Sequence, residues 1–351
     1  MKIKSHVLLL TLFALPWAAG PATAADDAIP LEAVEITATR SALNGDETPA
    51  SVTVITEEEI KEKQHRTVEE LLRGEFGLDV VSQGPTGALT NVFLRGSNSS
   101  STLVMIDGIQ VNLNTAGGFN FADLTTDNIE KIEILRGPQS TLWGADAVGG
   151  VINIVTKQGQ GRPTHAVSFE GGSFATFRET ASSSGAIDAF DYSLSVSRTD
   201  SDGFSAANEN DGNTEDDGYG NTTVSTRLGH ALGAESRAEL NARYSHANFD
   251  FDSFGPIDGP GFSRTDSFYI SAPLSTTFAG FWNVRLTPSL AYDNSEFIDP
   301  AFTSDVTNRT YTIDLQNSLK FSPAFSLILG GEYQALNGEV KDAFDDTRDN
   351  Q

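Results

Sequence analysis

The sequence contains no cysteine. No disulfide can hold this chain and no thiol can act as its nucleophile, so an exported form must rely on its core and its backbone ladders. Positive charge is scarce as well: 23 Lys and Arg stand against 48 Asp and Glu, a formal net charge of -25. A surface that acidic repels nucleic acid and anionic lipid headgroups and attracts cations, which excludes nucleic acid as a partner. Beyond the first 24 residues there is no apolar run of membrane-helix length, so any insertion into a bilayer must use strands. Catalytic chemistry is missing too. There is no nucleophile elbow, zinc pair or carboxylate dyad in a cleft. His65 lies on a helical pattern, His165 at a strand edge and His230 and His246 at strand ends, none with a second ligand at metal spacing. An enzyme is not expected.

What is present begins with "MKIKSHVLLLTLFALPWAAGPATA". Two lysines, an apolar run and small residues ending at Ala24 have the three-part layout of a secretory signal peptide, expected over 1–24. An N-terminal segment over 25–47 follows. It carries "LEAVEITATR", which alternates like a β-strand but has acidic, Pro-containing sequence before it and loop-like "SALNGDETPA" after it. No hairpin turn joins it to a neighbour. The pattern predicts a strand without a partner in its own chain.

From 48 to 160 the text reads as a small mixed α/β domain. Thr56 with Glu59 and Thr67 with Glu70 are capping boxes that open two short helices, and Gly74 is placed to end the second. "GLDVVSQ", "NVFLRG", "STLVMIDG", "IEKIEILRG" and "GVINIVTK" are apolar strands closed by turn residues. After 160 the texture changes to a series of about nine alternating segments, each roughly 8–13 residues, the length of tilted membrane strands. In "FDYSLSVSR", Phe190, Tyr192, Leu194 and Val196 share one face, and Asp191, Ser193, Ser195 and Ser197 the other. Short connections at 185–189, 230–235, 275–280 and 322–324 alternate with long polar ones at 199–220, 247–263 and 294–309, with another opening at 337. A tight turn near 173–176 is the exception. This short–long rule belongs to membrane barrels. Enclosing a domain of the preceding size takes about 22 strands, so 161–351 is expected to be the first part of a barrel and the chain a fragment. A secreted β-sandwich, adhesin or hydrolase, is the remote alternative.

A signal peptide, "EAVEITATR", a compact domain containing "FLRGSNSSSTLVMIDGIQVN" and "IEILRGPQSTLWGADAVGGVINIVTK", then barrel strands, resemble in that order the TonB-dependent outer-membrane receptors. The resemblance covers essentially all of 31–160 and, more loosely, the strands. It implies a membrane β fold: an N-terminal α+β plug domain inside a transmembrane antiparallel β-barrel. It further implies active transport of a scarce nutrient across the outer membrane of a Gram-negative cell, energised by TonB and its inner-membrane complex. The short strand becomes the TonB box, about 32–39, whose Glu32, Ala33, Val34, Glu35, Ile36, Thr37 and Ala38 would pair with an edge strand of TonB by β-augmentation. Members that also signal carry an extra periplasmic domain before the box, and none is expected here.

Within that family the plug most resembles cobalamin receptors. "GALTNVFLRGSN" and "LVMIDGIQVNLNTAGG" align with their substrate-facing loops, which implies ligand contacts at Leu89, Asn91, Asn98, Ala116 and Gly117. An apolar contact and two amides suit the amide fringe of a corrin. Ala116 and Gly117 would contribute mainly backbone. The resemblance also implies calcium in the acidic outer loops, on Asp211, Glu215, Asp216, Asp217, Asp250 and Asp252. Clustered carboxylates without an ammonium partner suit that hard cation. Ferric-siderophore or other metal-chelate receptors are the alternative, although acidic loops disfavour an anionic chelate.

Overall fold

A computed structural model of the chain describes residues 35–36, 43–44, 51–205, 216–252, 260–299, 302–322 and 325–344. These belong to one compact unit, Val34–Gln351. The leader expected over 1–24 lies outside the described residues.

Glu35–Ile36 (β1) pairs antiparallel with Leu43–Asn44 (β2), Glu35 opposite Asn44 and Ile36 opposite Leu43. This corrects the expectation of a strand without a partner and of a plain loop at 41–50. Backbone N–H and C=O groups without a partner pair with whatever extended backbone lies nearest.

The plug comes next. Ser51–Thr56 (β3) leads into Glu57–Lys63 (α1) and Val68–Leu72 (α2). Both capping boxes form as expected; Glu59 accepts from the Thr56 N–H at 3.0 Å and its own N–H donates back to Thr56 Oγ1 at 3.4 Å. Gly74, at φ +114°, follows the C-cap of α2, a conformation that favours glycine. Leu78–Ser82 (β4) and Thr90–Leu94 (β5) form a separate hairpin. Thr102–Ile106 (β6), Ile109–Gln110 (β7), Ile129–Arg136 (β8) and Gly150–Thr156 (β9), with the short helix Ser140–Trp143 (α3) before β9, complete the domain. The main sheet runs β3-β8-β9-β6-β7, with β6 and β9 parallel and the rest antiparallel. Every residue of β6 is buried, which explains its unbroken apolar run. Ile55, Leu71, Leu72, Leu94, Ile106, Ile132 and Ile152 form the core, each burial stabilising by about 1.5–3 kcal/mol.

The wall is one antiparallel sheet: Thr164–Gly171 (β10), Phe177–Ile187 (β11), Phe190–Ser201 (β12), Tyr219–Ala231 (β13), Ser236–Asp252 (β14), Pro260–Ser271 (β15), Leu274–Phe278 (β16), Trp282–Asp299 (β17), Phe302–Ser322 (β18) and Phe325–Phe344 (β19). β15 and β16 hold one register against β14 and β17, interrupted at Ala272–Pro273, where proline has no N–H to give. They are one physical strand, so nine cross the sheet, as expected. Its two faces are inverted relative to a soluble protein. Along β12, Asp191, Ser193, Ser195 and Ser197 are buried while Phe190, Leu194 and Val196 are exposed. That is the alternation of a membrane barrel, with polar residues inward around the plug and apolar residues toward lipid. At the short-turn end the outward face carries aromatic pairs: Phe278 with Trp282 at 5.2 Å and Phe321 with Phe325 at 5.5 Å.

The long connections are shorter than expected. β17 runs to Asp299 and β18 starts at Phe302, so most of 294–309 is ladder; β14 reaches Asp252 and β15 begins at Pro260; and β19 continues through the opening expected at 337. Backbone pairing does not require apolar side chains, so strands extend past the apolar band where the sequence turns polar. The tight turn near 173–176 is present, with Phe174 and Ala175 at positive φ and the Gly172 N–H donating to the Thr176 carbonyl at 2.8 Å.

Candidate functional site

Two groups of plug residues gather on the side toward the long connections. Leu89 and Asn91 belong to the β4–β5 hairpin; Leu89 is 42% exposed and Asn91 is half-buried. Asn98 is exposed at the start of a 3-10 turn, Ser99–Ser101. Ala116 is exposed beside Gly117, whose φ of +75° favours glycine. A Cβ at Gly117 would come 2.9 Å from Ser100 Cβ, so the 98–101 and 116–118 segments touch. Asn120 ties the hairpin to this loop, its Oδ1 accepting from the backbone N–H of Thr90 at 3.0 Å and of Ala122 at 3.1 Å. Asn112 shapes the loop from within, accepting from the Val104 N–H and donating to the carbonyls of Thr102 and Gly117.

The wall holds the same loop from the other side. Thr115 donates its N–H to Asn308 Oδ1 at 2.9 Å and its hydroxyl to the same atom at 3.1 Å. Asn114 Nδ2 donates to the Arg309 carbonyl and to Thr310 Oγ1, both at 3.1 Å. Sequence reasoning missed these tethers because their halves lie nearly two hundred positions apart and neither carries a local signal.

Lower in the seam, Asn128 bridges to the wall, donating to Ser225 Oγ at 3.1 Å and accepting from Ser193 Oγ at 2.8 Å. Arg178 pairs with Asp127 at 2.6 Å, and Arg227 donates to the Thr156 carbonyl at 2.8 Å. Plug and wall together also line a cavity of about 40 Å³, with Asp123, Tyr269, Asp293 and the buried Arg243 beside Leu113, Phe119 and Leu124, room for a water or two. Asp123 accepts from the Tyr219 hydroxyl at 3.3 Å, yet burial pushes its carboxyl up to about 7. Burial also raises Asp107, against the pull of Arg227 and two hydrogen bonds from Thr156.

Of the acidic outer residues, Asp211 and Glu215 lie outside the described residues. Asp216 is exposed, Asp217 buried, Asp250 exposed and Asp252 half-buried. Asp250 and Asp252 stand on β14, opposite Phe262 and Pro260, and not in a loop as expected. The Asp250 N–H donates to the Gly218 carbonyl at 2.9 Å, which sets the 216–218 segment beside Asp250. These are oxygen donors only, a set that fits a hard cation. Among the described residues no three His, Asp or Glu side chains form a metal-holding group. Glu35 and Ile36 form β1; Glu32, Ala33, Val34, Thr37 and Ala38 lie outside the described residues.

Residues 44–151 match the family model of the TonB-dependent receptor plug domain. A vitamin B12 transporter, BtuB of Photobacterium profundum, is 30% identical over 312 residues, covering 86% of this chain and 50% of that protein. The BtuB of Vibrio cholerae is 38% identical over 133 residues, 38% of this chain and 22% of that one. The chain thus spans about half the length of the first of these relatives. Among solved structures, the pyoverdine receptor FpvA of Pseudomonas aeruginosa aligns with a TM-score of 0.72 at 18% identity, over 88% of this chain and 49% of that one. The alcaligin receptor FauA of Bordetella pertussis aligns with a TM-score of 0.71 at 17% identity, over 88% and 50%. At such identities these structures speak to the fold, which is a plug with part of its enclosing barrel. With the plug model, the relatives and the inverted wall in agreement, the chain carries the plug domain of the TonB-dependent receptors at residues 44–151.

Proposed function

We propose that this chain supplies the plug and the first wall strands of an outer-membrane receptor that takes up a cobalamin. The observation that carries the substrate is the 30% identity to a vitamin B12 transporter, which extends through plug and wall alike. The siderophore receptors among the structural neighbours are less than 25% identical, so they weigh on fold and not on cargo. Chemistry supports the same reading. Asn91 and Asn98 offer amides that can both donate and accept, as the edge of a corrin requires, and Leu89 offers an apolar surface. Acidic outer strands favour a neutral or cationic ligand over an anionic chelate.

In this reading no bond is made or broken in the cargo. Ligand settles on the 89–91, 98 and 116–117 surface, held against the wall by Asn308 and Asn114. Asp216, Asp217, Asp250 and Asp252, with Asp211 and Glu215, would hold a calcium ion that orders the outer rim. At the opposite end β1 serves TonB. Its ladder with β2 is two residues long, so a partner strand offering a longer ladder displaces it. Tension then reaches β3, which is an edge strand of the plug sheet and pairs with β8 alone.

The test is a binding comparison on the intact receptor. Cyanocobalamin is expected to bind in the nanomolar range, and Asn91→Ala with Asn98→Ala to weaken it by about 1–3 kcal/mol in total. Tight binding of a ferric siderophore with no binding of cobalamin would overturn the cargo and leave the fold untouched.

A further inference from the structure

The outward face of the wall carries a charge pattern unrelated to the plug. Among the described strands, the Arg and Lys residues at outward positions are Arg198, Arg264, Arg309 and Lys341. Ladder register gathers them into one band. Arg198 pairs with Thr222, Thr222 with His246, His246 with Asp266, Asp266 with Asn294 and Asn294 with Thr307. Arg264 and Lys341 lie in the next row toward the long connections, through Glu296 and Asp305; Arg309 lies in the next row the other way, opposite Tyr292. Beyond Arg309 the outward positions turn apolar: Leu290 with Tyr311, then Ile313, then Leu286 with Leu315. The cations begin where the apolar band ends. That is the height of lipid headgroups, on the side of the long connections.

Three of the four have acidic partners: Arg198 with Asp200 at 2.6 Å, Arg264 with Glu296 at 3.4 Å and Lys341 with Glu339 at 3.1 Å. Arg309 differs. Its guanidinium lies over the Tyr292 ring, 5.5 Å from the centroid, and among the described residues no carboxylate stands within ion-pair distance. The inward neighbours Asn308 and Thr310 are tied to the plug, so the backbone that presents Arg309 is fixed. A guanidinium lying over an aromatic face can keep N–H groups free for a planar, bidentate contact with phosphate.

We infer that Arg309, seated on Tyr292 at the upper edge of the apolar band, anchors the phosphate of a lipid headgroup in the leaflet on the long-connection side. The same outward rows also carry Asp200, Asp266, Glu296, Asp305 and Glu339, so the anchor rests on Arg309 itself and not on a net positive band. The site rests on the wall as a membrane barrel and is independent of the cargo.

The intact receptor, purified in detergent, is titrated with bisphosphorylated lipid A, with dephosphorylated lipid A and with inorganic phosphate, bound lipid being counted by native mass spectrometry. Phosphorylated lipid is expected to bind about tenfold more tightly than its dephosphorylated form. Arg309→Gln should abolish that preference, Arg309→Lys should keep part of it, and Arg285→Gln, on an inward position, should leave it unchanged. Inorganic phosphate at millimolar concentration should not compete. Equal binding of both lipids, or an undiminished preference in Arg309→Gln, overturns the inference, and competition by inorganic phosphate makes this a free-anion site instead. Heat-modifiable mobility checks that each variant is folded. If Arg309→Gln does not fold, Tyr292→Leu supplies the reading, since loss of the ring should lower the preference several-fold.

Discussion

Asn308 Oδ1, on the wall, accepts both the backbone N–H and the hydroxyl of Thr115 on the plug, at 2.9 and 3.1 Å. A single side-chain oxygen thus makes two of the contacts that tie to the wall the loop presenting Ala116 and Gly117. Asn308→Ala should leave the Thr115 N–H without its partner and cost about 1–3 kcal/mol of local stability. We expect faster hydrogen exchange across 113–118 and a several-fold loss of cobalamin affinity. Asn308→Asp keeps the acceptor and should retain most of both. Unchanged exchange in the alanine variant would show that Asn114 alone holds the loop.

Asp123 sets the pH dependence of the seam. Its carboxyl titrates near 7, against an ordinary value of 3.8, because burial disfavours the charged form. Between those two values the folded state holds more protons than the unfolded one. Stability contributed by this group is therefore present in acid and falls as pH rises from about 4 to about 7, by at most roughly 1.4 kcal/mol per pH unit. Asp123→Asn should flatten that slope, measured as hydrogen-exchange protection of 119–126 at pH 5 and pH 8. A variant with the wild-type slope would assign the dependence to Asp107, which burial shifts in the same direction.

Calcium should order the outer rim. Chelation is expected to loosen the segments around 216–218 and 250–252 and to weaken cobalamin binding. Asp216→Asn with Asp217→Asn should mimic chelation, because the site loses charge and keeps its shape. A flat calorimetric titration with calcium at millimolar concentration would reduce these carboxylates to a solvated rim.

Ile36→Pro tests the N-terminal strand. Proline tolerates an extended backbone but has no N–H to give, so the segment stays extended and cannot complete a ladder. Cobalamin binding should be nearly unchanged and transport should fail. Ile36→Val keeps the N–H and the β-branched shape and should transport almost normally. Transport by the proline variant at the wild-type rate would make this stretch a linker.

Local and periodic features were legible in the sequence because their physics is local. Thr56 and Glu59 are three residues apart on one helical turn, so the capping box needs nothing distant. Alternation along Phe190–Ser197 specified which side of a strand would be polar, because side chains on a strand alternate faces whatever they pack against. That alternation could not say which face was buried. Only the wall with a plug behind it made the serine face the inside.

Tertiary structure decided everything that joins distant positions. The lengths of β17 and β18 through 294–309, the pairing of β1 with β2, and the placing of Asp250 on a strand all follow from backbone hydrogen bonds, which polar side chains neither signal nor forbid. The same holds for Asn308 beneath Thr115, for Arg243 at the cavity and for Arg309 over Tyr292. Each is an ordinary residue in its own segment and gains its role from neighbours that the sheet register brings to it. The sequence by itself determined the elements, their order and the family they resemble; the register of one strand against another, which no short stretch encodes, decided the sites.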